Sequence, residues 1–322
     1  MELKGNLISV REDARVLDAT MRDGGLVNDF FFTDEFVHAL YAANTAAGVD
    51  YMEFGYKASK KLFDREKFGK WKFCDDEDIR AIVGENADGP KISVMADVGR
   101  CDYQEDIHPA GESPIDMVRV ATYIDTIPEA VSMIEDAAKK GYEVTCNIMA
   151  ISNCQESDVK LALNMLAKSP ISTMYIVDSF GSLYPEEIRR LVDTYGAIME
   201  PAGIKLGIHA HNNQQCAFAN TIEALSVGVS YLDATAMGMG RGAGNCSLEN
   251  LLGFLKNPRY KLDPMLKFLE QYMLPLKTSG LKWGYDIPYM LTGLTDQHPR
   301  TAIAAVKNGD VHYADYYQML LD

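Results

Sequence analysis

The chain has 322 residues, 47 % of them hydrophobic and 24 % charged, enough apolar content to bury a sizeable core and too much for any long disordered stretch. Its 46 acidic residues outnumber 31 basic ones, and the resulting net charge of −15 disfavours nucleic acid or anionic lipid as a partner, since both need clustered Lys and Arg. The expectation is a cytoplasmic protein with a small-molecule ligand: the Met1 to Leu7 stretch is charged where a signal peptide is apolar, and no window reaches membrane-spanning length.

Taken in chain order, short β-branched or apolar runs recur at 15–19, 51–54, 91–96, 119–124, 143–148, 173–177, 205–210 and 231–236, each followed by a stretch of helical periodicity. Such alternation demands a parallel sheet, and eight repeats predict a closed (β/α)8 barrel, the TIM-barrel fold. Helix signals fall where this needs them: Thr33 before Phe36, Ser182 with Pro185, Glu186 and Glu187 before Ile188, and Gly48, Gly141, Gly203 and Gly228 as stops. After about Asn257 the rhythm breaks. The expected division is a barrel over 1–256 and a helical C-terminal extension over 257–322 that covers the barrel top or pairs subunits. Cys74, Cys101, Cys146, Cys154, Cys216 and Cys246 lie far apart with no Cys-x-x-Cys, and read as reduced thiols.

Three segments carry chemistry. Along strand seven, alternation sends Gly207, His209 and His211 to one face, so both imidazoles enter the barrel mouth and suit a single divalent cation, with Gly207 making room below. A His-x-His pair also occurs on the first strand of amidohydrolase barrels, but here it sits on the seventh. At the end of strand one stand Arg22 and Asp23, followed by Gly24 and Gly25. The carboxylate and arginine read as a salt bridge or, at a barrel-strand C-terminus, as site residues. Because a barrel closes strand one against strand eight, Asp23 is able to complete a triad with the histidines. After strand eight, Gly238 to Ala243 formally matches a dinucleotide-binding Gly-x-Gly-x-x-Ala, which is rejected because no further strand follows. The loop instead brings Asn245 to the cation or cups a substrate anion.

Arg22-Asp23-Gly24, His209-x-His211 and the glycine loop ending in Asn245, in this order and on these strands, resemble the metallolyase superfamily of TIM barrels that contains 4-hydroxy-2-oxovalerate aldolase, HMG-CoA lyase and the isopropylmalate and homocitrate synthases. The resemblance runs from about Val16 to Leu255 and looks strongest to the aldolase catalytic domain. It implies Asp23, His209 and His211 as metal ligands, Asn245 as a further ligand, and Arg22 as the group that stabilises an enolate oxygen. It also implies Glu53 in the active site, with a salt bridge to Lys57 or Arg22 as the alternative, and Ser179 near a substrate carboxylate, with a plain turn role as the alternative. Two positions depart from the pattern. Leu26 lies where the aldolases have a histidine, and Cys246 follows Asn245 where HMG-CoA lyases have a cysteine before it.

The function implied is that of a carbon–carbon lyase, a class II aldolase acting on a 2-oxo acid and an aldehyde through a pyruvate-like enolate, with Mn²⁺ or Mg²⁺ suited to the mixed N and O ligands. The proton acceptor is a water at the cation or Tyr289, preferred to Tyr285, with aromatic packing the alternative for both. A homo-oligomer is expected, and related aldolases work with an acylating aldehyde dehydrogenase, although no docking face for one is visible. Two other readings stand beside this. Claisen condensation of an acyl-CoA with a 2-oxo acid needs a basic CoA groove that the sequence does not show. A non-catalytic, metabolite-binding barrel is favoured by Leu26 and opposed by the complete set of Arg22, Asp23, His209, His211 and Asn245.

Overall fold

The eight predicted strands all form. β1 (Arg15–Asp18), β2 (Tyr51–Tyr56), β3 (Lys91–Asp97), β4 (Met117–Thr122), β5 (Glu143–Ile148), β6 (Thr173–Asp178), β7 (Lys205–Ala210) and β8 (Tyr231–Ala234) lie parallel and close in sequence order, β1 pairing with both β2 and β8. This computed structural model describes residues 7–309 and 311–322. Met1 to Asn6, most of the segment read as unlike a signal peptide, lie outside the described residues. Among those described, no helix is long and apolar enough to cross a membrane, and all six cysteines are free thiols.

Two apolar layers follow from strand alternation. Fully buried Val16, Ile92, Val94, Val118, Val120, Ile176 and Ile208 join helix residues such as Ile134, Leu163 and Val192 in the main core. A second cluster, Leu17, Ala19, Tyr51 and Met117 with Tyr231, contains only residues of strands and strand ends and plugs the barrel interior. At the helix ends, Thr33 accepts the Phe36 N–H at 3.2 Å, and Gly48 and Gly203 adopt the left-handed conformation at φ 75° and 76°.

Three local expectations shift. β4 begins two residues earlier than read and stops at Thr122, because the Thr126 hydroxyl takes the Tyr123 N–H and turns the chain into the helix Ile127–Lys139. Ser182 caps nothing: the helix Pro185–Met199 starts from Tyr184 with Glu187 returning to the Tyr184 N–H, while Ser182 donates to Asp296 at 2.7 Å. After β3 the chain forms one short α-helix, Tyr103–Asp106, and a 3-10 turn, Ala110–Glu112, since Pro109, Gly111 and Pro114 interrupt any longer run.

The extension is helical, as expected. Leu262–Phe268 packs against the first long helix, Asp34–Ala47, through Phe268 and Phe36 with ring centroids 5.3 Å apart. The helix Ile287–Leu294 lies over the loops that follow β6 and β7: Asn213 donates to the Tyr289 carbonyl at 3.0 Å, Gln214 to that of Met290 at 2.6 Å. The segment thus covers the C-terminal face of the barrel, where barrel enzymes place their sites.

Candidate metal centre

Asp23 sits in the helical turn Thr20–Gly24 after β1, His209 in β7 and His211 just past its end. One ligand atom from each lies within 4.8 Å of the others, and the three residues are only 2 %, 3 % and 6 % exposed. The hydrogen bonds fix which nitrogens face the centre. His209 Nδ1 lies 3.0 Å from the Asp233 carboxylate and His211 Nδ1 lies 3.2 Å from the Gly244 carbonyl. Both partners accept, so both Nδ1 atoms carry the proton and both Nε2 lone pairs point inward. Burial pushes His211 down to about 3 against the pull of Asp23, which keeps it neutral. Burial alone would raise the Asp23 carboxyl, but Arg22 and the two histidines outweigh it and hold Asp23 well below the usual carboxylate range.

Asn245 arrives on the glycine loop. Its amide nitrogen donates to Asp23 Oδ2 and to the Met239 carbonyl, which orients the group and leaves Oδ1 buried without a partner. His209 Nε2 is also buried and unpartnered. Buried acceptors left unpaired are costly, and two of them beside a carboxylate and a second imidazole fit a divalent cation. The loop requires glycine for this approach: a Cβ on Gly240 would fall 2.0 Å from Asn245 Nδ2, and Gly244, at φ 79°, would meet the Gly238 carbonyl at 2.0 Å.

Beneath the centre runs a chain of charges. Arg22 Nη1 bonds Asp23 at 3.0 Å and Arg22 Nε bonds Glu53 at 2.8 Å. Arg119 continues the chain to Glu53 at 2.9 Å and to Asp233 at 2.6 Å, and Asp233 returns to His209. Glu53 therefore pairs with Arg22, whereas Lys57 pairs with Asp76 at 2.7 Å. Sequence reasoning missed Arg119, Asp233 and Tyr175, whose ring faces the Arg119 guanidinium at 4.3 Å. Glu53, Arg119, Tyr175 and Asp233 come from β2, β4, β6 and β8, one interior layer drawn from alternate strands. Gly207 makes the room foreseen for it: a Cβ there would lie 2.6 Å from the Tyr175 ring. Gly207→Ala is expected to cost about 1–3 kcal/mol by overpacking, measured as a lower urea midpoint at unchanged slope.

The remaining expected residues lie further out. Ser179 accepts the Ala150 N–H at 2.8 Å. Tyr289 packs with Ala243 and Ala302 above the glycine loop, and among the described residues no hydrogen bond joins its hydroxyl to the triad. Leu26 is partly buried against the main core. Cys246 is buried and its thiol is pushed up to about 12 by that burial, which makes it inert. A cavity of about 490 Å³ between the loops after β5 and β6 and the covering helix, lined by Ile151, Cys154, Tyr184 and Asp296 among others, contains none of the triad.

The chain is similar to known proteins. An oxaloacetate decarboxylase of Mycobacterium tuberculosis is 34 % identical over 244 residues, covering 75 % of this chain and 69 % of that protein. A 4-hydroxy-2-oxovalerate aldolase of Moorella thermoacetica is 28 % identical over 246 residues, covering 76 % and 71 %. The solved N-terminal domain of a protein from Bacteroides vulgatus superposes with a TM-score of 0.77 at 26 % identity, covering 91 % of this chain and 96 % of that one. With a model of HMGL-like proteins matching residues 13–272, almost the whole barrel and its first added helix, this chain belongs to the HMGL-like family of lyases.

Proposed function

We propose that the protein is a divalent-cation-dependent lyase, of the class II aldolase type, that breaks or forms a carbon–carbon bond through a pyruvate-like enolate of a 2-oxo acid. The barrel of 1–256 carries the chemistry and 257–322 covers it. One observation supports this above the rest: buried, unpartnered His209 Nε2 and Asn245 Oδ1 face Asp23 and His211, next to an arginine with one nitrogen to spare. Asp23, His209, His211 and the Asn245 carbonyl would hold Mn²⁺ or Mg²⁺. Such an ion, when bound, supplies a Lewis acid for the charge that collects on the keto oxygen.

The chain's own groups do the rest. Glu53 and Asp23 hold Nε and Nη1 of Arg22, which leaves Nη2 as a fixed donor for the oxygen that gains charge. Ser179 accepts from backbone and keeps its hydroxyl proton to offer a substrate carboxylate. The proton acceptor is water or Tyr289, which the covering helix brings over the glycine loop. Leu26 offers none, and loss of CO₂ needs no acceptor there whereas aldol cleavage does.

Arg22→Lys keeps the positive charge beside Glu53 and Asp23 but lacks the spare nitrogen, so kcat is expected to fall about a hundredfold, or ~3 kcal/mol, with a much smaller change in KM. The reading itself is tested by following deuterium entry into the methyl group of pyruvate in D₂O with Mn²⁺, alongside cleavage of oxaloacetate and 4-hydroxy-2-oxovalerate. No exchange and no cleavage would remove it.

A further inference from the structure

Lys72 has no place in the machinery described so far. It ends the short turn Lys70–Lys72 beyond β2, and it is only 8 % exposed. Four aromatic rings enclose its ammonium: Tyr56 at 4.3 Å from the ring centre, Phe63 at 4.6 Å, Phe30 at 4.9 Å and Phe68 at 5.8 Å. Ring faces stabilise a cation but accept none of its three N–H bonds in full. Among the described residues the Nζ atom has neither a hydrogen bond nor an ion pair. Asp97 at the end of β3 attracts it and Arg100 repels it, both from beyond ion-pair range. Burial lowers the lysine from its ordinary value and raises Asp97, whose Oδ1 is itself buried without a partner.

The box is built rather than incidental. Asp29 and Phe30 both take the left-handed backbone conformation, at φ 52° and 66°, which side-chain-bearing residues seldom adopt. The Gly69 N–H clamps that loop through the Asp29 carbonyl at 2.9 Å, and a Cβ on Gly69 would strike the Phe30 carbonyl at 2.0 Å. Phe30 thereby stands edge-on to Tyr56 at 5.6 Å. Tyr56 links the box to the candidate centre: its surroundings include Arg22, Asp97, Asp23 and Glu53. The ring that lies 4.3 Å from the amine is thus also within the electrostatic reach of Arg22 and Asp23.

We infer that the Lys72 box is a subsite for a second carboxylate of the substrate, so that the preferred ligand is a 2-oxo dicarboxylic acid whose far end receives the ammonium and whose 2-oxo acid head lies at Arg22 and the cation. An anion supplies the acceptor that Lys72 lacks, and the surrounding rings exclude the water that would weaken the pairing. The assignment of the head group rests on the proposed function; the assignment of Lys72 rests on the box.

Matched probes separate the two. Calorimetric binding of 2-oxoglutarate against 2-oxopentanoate, and of oxaloacetate against 2-oxobutanoate, compares acids of equal length with and without the far carboxylate. The wild type is expected to bind at least one dicarboxylate about tenfold or more tightly than its partner, roughly 1.4 kcal/mol. Lys72→Met should abolish that preference and leave monocarboxylate affinity and pyruvate methyl exchange unchanged, while Lys72→Arg should restore much of it. Equal affinities within both pairs in the wild type would overturn the inference even if no variant folds. So would a Lys72→Met protein that weakens both members of a pair alike, or that keeps the preference. A lysine-dependent preference without pyruvate exchange would uphold the subsite and reject the enolate chemistry.

Discussion

Replacing Arg119 by methionine is expected to destabilise the barrel by about 3–5 kcal/mol, because it takes the only arginine from buried Asp233 and one of two from buried Glu53. Arg119 and Glu53 are 0 % exposed and Asp233 is 2 % exposed, and the guanidinium bonds both acids. Glu53 would retain Arg22, but Asp233 would be left with His209 alone. Burial alone would raise Asp233; Arg119 and His209 together hold it below the usual range, so removing the larger of these attractions leaves desolvation unopposed. Urea unfolding measures the loss, and Arg119→Lys should recover part of it by returning the charge without the two-pronged geometry. Arg119→Met should also weaken Mn²⁺ binding about tenfold to a hundredfold, since Arg119 holds the Asp233 carboxylate that orients His209. A midpoint equal to that of the wild type would mean that the charged layer does not hold the barrel together.

That layer also marks where the sequence stopped being readable. The strands and the paired motifs were legible because rare residue types appear at strand ends: His209 and His211 two residues apart on one face, Asp23 beside Arg22, Asn245 on a glycine loop. Arg119 and Asp233 sit in mid-strand, in Met-Val-Arg-Val and Tyr-Leu-Asp-Ala, and nothing local separates them from solvent-facing charges. The signal that finds them is one of phase. Met117, Tyr51 and Tyr231 belong to the interior plug, and stepping two residues along each strand reaches Arg119, Glu53 and Asp233. Alternation read strand by strand against a shared interior layer exposes a buried charged ring that composition conceals. The extent of the helix layer after β3 and the start of the helix at Pro185 turned instead on competing side-chain bonds and on prolines, which periodicity does not weigh. Lys72 was hidden for a different reason: its partners Phe30, Tyr56, Phe63 and Phe68 come from separate loops and a strand end, and only the fold brings them together.

Asp23→Asn should abolish the response of the protein to Mn²⁺. Binding a ligand to the folded state alone stabilises it by RT ln(1 + [L]/Kd), about 2.7 kcal/mol at a concentration some hundredfold above Kd, so the melting temperature of the wild type should climb with added Mn²⁺ and fall back with chelator. The asparagine keeps the shape of the side chain but removes the one anionic ligand of the triad, and the two neutral imidazoles and an amide oxygen left behind hold a hard divalent cation poorly. The substitution also replaces the carboxylate that Arg22 meets at 3.0 Å by a neutral amide, so the variant is expected to melt lower even without metal. For that reason the informative quantity is the difference between metal-loaded and chelator-treated samples of each protein, which cancels the metal-free loss. His209→Ala should behave alike, and its Mn²⁺-dependent increment should vanish while Arg22, Glu53 and Asp23 remain paired. In the wild type, chelation should remove pyruvate methyl exchange and Mn²⁺ should return it. If both variants kept the full increment, the ion would bind elsewhere, and the geometry of Asp23, His209 and His211 would need another explanation than a shared cation.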